Sequence, residues 1–150
     1  MRLEHVNLVV ADIEPTLAFL QAAFPDWSVR GRGTGDWYGK PSKWVHFGNG
    51  RSYMTLNDHG EGQIRQLAGH LPGLAHMGFE TGNLDELRAR LSAAGFEPRM
   101  LADPDTDHRR RIYYVEPAGF EFEFVEYSSD LDVVRNEYVP VGAYESVAVV

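Results

Sequence analysis

Along this chain, short runs of alternating apolar and polar residues give way to helical spacing, and the sequence does this twice. Leu3-Glu4-His5-Val6-Asn7-Leu8-Val9-Val10 alternates as a strand. Asp12 then offers an N-cap, and Ile13, Leu17, Leu20 and Phe24 follow at helical intervals. Leu74-Ala75-His76-Met77-Gly78-Phe79-Glu80 reads as a second such strand. Asn83 and Glu86 stand in capping-box spacing behind it, Leu84, Leu87 and Leu91 repeat at helical intervals, and Gly95 ends the helix. Two hairpins complete the halves. One is Lys43 to Phe47, a Gly48-Asn49-Gly50 turn, then Arg51 to Asn57; the other is Arg111 to Val115, a Glu116-Pro117-Ala118-Gly119 turn, then Phe120 to Tyr127.

Each half is therefore a strand, a helix and about three strands. The expected fold class is α+β, with paired βαβββ modules forming a half-barrel cleft. The expected bounds are residues 1–58 for the first module, 59–73 for a linker, 74–127 for the second module and 128–150 for a C-terminal extension, together one domain. Residues 31–42, Gly-rich with Trp37 and Tyr38, read as a loop, as do 101–110. Leu131 to Tyr138 reads as a short helix.

Strand parity sorts the faces. Phe120, Phe122 and Phe124 share the helix-covered face of the last strand, leaving Glu121 and Glu123 opposite. Val6, Leu8 and Val10 turn to the helix in the first strand, leaving His5, Asn7 and Val9. The opposite, cleft-lining faces collect His5, Asn7, Thr55, Asn57, His76, Glu80, Glu121 and Glu123, with Tyr113 and Arg111 beside them. His46 shares parity with Trp44 and is assigned to the helix-facing side, as a hydrogen-bonded core histidine. His59 and His70 are read as surface residues of the linker.

Charge and composition narrow the chemistry. The 14 Lys and Arg against 22 Asp and Glu give a net charge of −8, which argues against nucleic acid or an anionic membrane as partner. With no cysteine, thiolate metal sites and disulfides are excluded, so any metal takes nitrogen and oxygen ligands. No apolar run approaches the ~20 residues of a membrane span, and the N-terminus lacks a leader's apolar core; a cytoplasmic protein is expected. Two imidazoles and a carboxylate converging on one point make a 2-His-1-carboxylate site, with His5, His76 and Glu123 as candidates. The alternative is that all three are polar groups on a solvated sheet face.

Three segments resemble the vicinal oxygen chelate superfamily, which contains glyoxalase I, bleomycin-resistance proteins and extradiol ring-cleaving dioxygenases. They are Leu3-Glu4-His5-Val6, Leu74-Ala75-His76-Met77-Gly78 and Ile112 to Glu123. The last is similar to the family's aromatic-x-x-acidic-Pro-x-Gly-x-x-x-Glu ending. The resemblance spans about residues 3–127 and implies paired βαβββ modules and a divalent metal on His5, His76 and Glu123. Fe2+ or Mn2+ is favoured, with Zn2+ or Ni2+ as alternatives. It also implies a homodimer and a small substrate with adjacent oxygens.

Glyoxalase I supplies a second carboxylate at the position where this chain has Thr55, and that departure weakens a glyoxalase I assignment. Three protein ligands leave room for a bidentate substrate and O2, so extradiol-type ring cleavage is slightly preferred. The alternatives are a glyoxalase I-like lyase or isomerase and a metal-free bleomycin-resistance-type binding protein. Tyr113 would donate to a developing oxyanion, or is an ordinary strand aromatic. His108 would act as acid–base, or is a loop histidine. Glu121 would orient a ligand or act as a base, or is a solvated carboxylate. Thr55, Asn57, Arg111 and Trp37 would contact substrate, Arg111 through a substrate carboxylate and Trp37 as a lid.

Overall fold

The computed structural model describes residues 1–106 and 108–137. Two four-stranded sheets carry the chain. Strands β1 (His5–Val9), β2 (Ser28–Trp37), β3 (Lys40–Gly48) and β4 (Tyr53–Asn57) form one sheet, in the order β1-β4-β3-β2. Strands β5 (Met77–Glu80), β6 (Met100–Thr106), β7 (Arg109–Val115) and β8 (Glu121–Tyr127) form the other, in the order β5-β8-β7-β6. In each sheet the first strand lies parallel to the last, and the remaining pairs are antiparallel. Helix α1 (Ile13–Ala23) follows β1, α2 (Leu84–Ala93) follows β5, and the short α3 (Asp132–Arg135) comes last. This is the βαβββ repeat anticipated from the pattern.

The helix ends follow their local chemistry. Asp12 accepts from the Glu14 N–H at 3.1 Å and Asn83 from the Glu86 N–H at 3.0 Å, satisfying donors that have no partner inside the helix. Past α2, Gly95 sits at φ +85°, and the Phe96 N–H reaches back to the Leu91 carbonyl at 2.9 Å. That closure turns Phe96 into the core.

One core serves both modules. Phe19 of α1 is fully buried, and its ring meets Phe96, Tyr114 and Phe122 of the second module at 5.2, 6.1 and 5.2 Å. Phe24 and Trp27 similarly meet Phe79 of β5 at 4.9 and 6.4 Å. Arg90 of α2 donates to the Ala22 and Ala23 carbonyls at the end of α1, where acceptors are free and positive charge is favoured. Below the core, Thr16 Oγ1 donates to Glu116 Oε2 at 2.6 Å, while Glu116 also accepts from the Ala118 and Phe120 N–H groups. Glu116 is only 2% exposed, so its charge is held by these donors rather than by water.

Several boundaries differ from the sequence reading. Residues 31–42 are not a loop but most of a hairpin, whose two-residue turn is Tyr38-Gly39, both at positive φ (51° and 86°). Asp36 Oδ1 accepts from the Gly39 N–H at 2.7 Å and holds that turn. The glycines that resembled a loop are strand residues beneath Trp44, and a Cβ on Gly33 would come within 2.6 Å of the indole. Residues 100–106 likewise form β6, and β5 begins at Met77, leaving His76 just before it. The expected helix over 131–138 is α3, and Tyr138 lies outside the described residues.

Two substitutions test this packing. Thr16→Val removes one of the donors to buried Glu116 and is expected to cost ~1–3 kcal/mol in urea unfolding with an unchanged m-value; an unchanged midpoint would contradict the role given to that bond. Gly33→Ala forces the Trp44 indole off its strand and is expected to cost ~1–3 kcal/mol by the same measurement. A neutral result would show that the contact is not tight.

Candidate functional site

The outer face of the second sheet carries a dense polar cluster. Glu123 on β8 is buried, at 9% exposure, although its neighbours along the strand are phenylalanines of the opposite face. Its Oε2 lies 3.0 Å from His76 Nε2, and its Oε1 accepts from Tyr113 Oη at 2.6 Å. Arg111 Nη1 lies 3.7 Å from Oε1. Antiparallel register produces this meeting, because Tyr113 of β7 pairs with Glu123 and Gly78 of β5 pairs with Glu123 from the other side. Gly78 puts no side chain of its own against Oε2, where a Cβ would lie 3.7 Å away, and His76 meets that oxygen instead. Glu121, two residues earlier on the same face, is bound by Arg99 Nε at 2.6 Å.

The first sheet carries the other half. His5 on edge strand β1 turns Nδ1 to Glu4 at 2.9 Å, which leaves Nε2 available, and its ring stacks on Tyr53 at 4.8 Å. Asn7 accepts from Asn57 Nδ2 at 2.6 Å, and the buried Thr55 pairs with Asn7 in register. His46 lies on this outer face and not in the core, a correction to the sequence reading. Val45 and Phe47 take the core side and pair with Leu56 and Met54, so Trp44 and His46 point outward over the β2 glycines and Tyr53. Burial, then the charges of Arg30 and His5, hold the His46 imidazole below its ordinary pKa and favour its neutral form.

The structure brings His76, Glu123, Tyr113 and Arg111 together. It does not bring His5 to them. Among the described residues, no three His, Asp or Glu side chains of one chain stand ready to hold a metal ion. His108 is buried at the start of β7, where its carbonyl accepts from the Ser128 N–H, beyond the Arg109–Tyr127 pair and away from Tyr113. Trp37 stacks on His59 at 5.2 Å and touches Tyr38, and neither ring meets the polar clusters. Glu80 is bound by Arg135 of α3, whose guanidinium also lies 4.1 Å over Tyr127; this hydrogen bond keeps the Glu80 carboxyl below its usual pKa. A pocket at the seam of the modules, lined in part by Asp12, Thr16, His59, Glu61, Ile64 and Phe120, contains none of the candidate site residues.

Arg30 and His46 are the outer-face residues that sequence reasoning missed. Arg30 lies 4.4 Å over the Tyr53 ring. It is the extra residue of a bulge in β2, where Val29 pairs with Phe47 and Gly31 with His46, and bulges re-aim side chains in a way parity does not foresee.

No curated protein sequence matches the chain. Solved structures of the same fold are numerous. A glyoxylase/bleomycin resistance protein/dioxygenase domain from Frankia sp. EAN1pec is 21% identical, with a TM-score of 0.69, covering 87% of this chain and 95% of its own. A glyoxalase family protein from Bacillus cereus is 18% identical, with a TM-score of 0.70 and coverages of 86% and 95%. The fosfomycin resistance protein FosX from Listeria monocytogenes, solved with Mn(II) and sulfate, is 25% identical, with a TM-score of 0.61 and coverages of 91% and 98%. The family model of the Glyoxalase/Bleomycin resistance protein/Dioxygenase superfamily matches residues 2–124, and with its paired βαβββ sheets the chain belongs to that superfamily.

Proposed function

We propose that this protein is a divalent-metal enzyme acting on a small substrate with two adjacent oxygens, its site shared between two copies of the chain. The observation that carries the reading is the meeting of His76 Nε2, on an exposed imidazole, with Oε2 of the buried, hydrogen-bonded Glu123 at 3.0 Å. An imidazole nitrogen and a carboxylate oxygen aimed at one another are two of the three donors such an ion takes. His5, its other ring nitrogen turned to Glu4, is the third. The donor set of two imidazoles and one carboxylate suits Fe2+ or Mn2+, with Zn2+ or Ni2+ as alternatives. The solved relative FosX carries Mn(II).

The two-chain arrangement is supported by the core. Both sheets spend their inner faces on one set of buried side chains, so His5 and the His76–Glu123 pair lie on separate outer faces of one chain. A second copy, related by a two-fold axis, would set the His5 face of one chain against the Glu123 face of the other.

A bound ion in this site would act as a Lewis acid toward neighbouring substrate oxygens and leave coordination positions open. The chain's own groups do the rest. Tyr113 fixes one Glu123 oxygen so that the other faces outward. Arg111 places positive charge beside the same carboxylate, where a substrate anion would also be held. Thr55 occupies the register position that Glu123 has in the second module, so the first module offers no second carboxylate there as a fourth ligand. That favours extradiol-type ring cleavage over glyoxalase I-like isomerisation. The second reading is a metal-free binding protein, in which His76 and Glu123 pair with one another.

Elemental analysis after anaerobic reconstitution separates these readings. About one equivalent of metal per chain is expected, with loss of more than tenfold in affinity in His5→Ala, His76→Ala and Glu123→Gln alike. No stable metal in the unaltered protein would leave the binding-protein reading. Tyr113→Phe is expected to weaken metal binding or turnover ~10–100-fold, as removal of a group orienting a ligand does; unchanged values in both would remove Tyr113 from the site. Oxygen uptake with catechols, on the iron- or manganese-loaded protein, tests ring cleavage, and activity on 2-oxoaldehydes without oxygen uptake would replace it with isomerisation.

A further inference from the structure

The two modules can be compared position by position through their strand registers. Thr55 pairs with His46 in the first module as Glu123 pairs with Tyr113 in the second. One strand further out, Gly31 pairs with His46 as Met100 pairs with Tyr113. The residue before each is an arginine, Arg30 in one module and Arg99 in the other, 69 positions apart. The residue two before Thr55 is Tyr53, and the residue two before Glu123 is Glu121.

The second module shows what this arginine position does when a carboxylate is within reach. Arg99 Nε binds Glu121 Oε1 at 2.6 Å, and Glu121 is 8% exposed. In the first module the carboxylate is replaced by Tyr53. Arg30 has only the face of that ring, at 4.4 Å, and among the described residues no carboxylate pairs with it. It lies on the same outer face as His5, which stacks on Tyr53 at 4.8 Å, and His46, which meets that ring tilted at 4.9 Å.

We propose that Arg30 is a second anion-recognition residue of the cleft, in addition to Arg111, holding a carboxylate or phosph(on)ate group of the substrate in the place that Glu121 fills beside Arg99. The proposal deepens the enzyme reading by naming the substrate class, and it rests on that reading for taking the His5 face as the substrate cleft. A planar guanidinium donating two parallel bonds matches either anion. The ring beneath it orients the guanidinium, 4.4 Å from its centroid. The bulge at Arg30 is what aims it at Tyr53, across β3. His46 meets the same Tyr53 ring and offers a further hydrogen-bonding group for the anion.

Titration calorimetry of inorganic phosphate into the full chain tests this, with the protein both loaded with Mn2+ and metal-free. Arg30→Gln is expected to weaken phosphate binding at least about tenfold, with Arg30→Lys between it and the unaltered protein. Arg99→Gln serves as the control for general charge, because its partner is internal, and is expected to leave phosphate binding within about twofold. Mn2+ affinity and thermal unfolding are expected to be the same in Arg30→Gln as in the unaltered protein, since Arg30 is exposed and holds no ligand. Equal phosphate affinity in Arg30→Gln and the unaltered chain, or equal losses in Arg30→Gln and Arg99→Gln, would overturn the proposal. If Mn2+ does not bind at all, the metal reading fails, and the metal-free titration alone decides the role of Arg30 by the same criterion.

Discussion

The burial of Phe19 among the aromatic rings of the second module is the contact on which the rest of this structure depends. A four-stranded sheet covered by one short helix is a small core for a module of this size, and neither module buries much alone. Joining the two helices between both sheets gives one continuous core from Leu8 to Phe124. The cost is geometric. Each sheet has one face inside that core, so the polar faces, with every candidate ligand on them, lie on the outside and apart. The seam is also crossed by three hydrogen bonds, one from Thr16 to Glu116 and two from Arg90 to the end of α1.

The repeated register makes the two polar faces comparable, and their differences carry the functional argument. The second module is electrostatically complete: Glu121 has Arg99, and Glu123 has His76, Tyr113 and Arg111. The first has the same skeleton with its acidic positions replaced by Tyr53 and Thr55. It therefore presents Arg30 with no carboxylate partner among the described residues, where the carboxylates of its counterpart are paired.

Much of this was legible in the sequence because strands have a period of two. Parity alone put His5, Asn7, Thr55 and Glu123 on the outer faces, and the core-facing phenylalanines of β8 left no other assignment for its glutamates. Parity failed where size was used in place of pattern. Trp44 is large and was assigned to the core, which took His46 with it. In the structure, the glycines of β2 give the indole a surface to lie on, and Val45 and Phe47 fill the core instead. The same glycines concealed a hairpin whose turn places a tyrosine at positive φ, a position where Asn or Gly is the usual cue. Arg30 was beyond pattern reading, since a bulge changes direction without changing composition. Its repeat spacing from Arg99 was the one cue available. Whether His5 joins its partners within a chain or between chains depends on packing of helices against sheets, which no local pattern records.

Subunit complementation tests most directly whether the proposed site closes between chains. His5→Ala and Glu123→Gln chains carrying different affinity tags are mixed, refolded and purified as heterodimers, and their metal content is measured. Closure between chains predicts one metal per heterodimer, because one composite site keeps His5 from one chain and His76 with Glu123 from the other, while both parent homodimers hold none. A heterodimer as empty as its parents, beside an unaltered dimer that binds two ions, would contradict it and return all three ligands to a single chain.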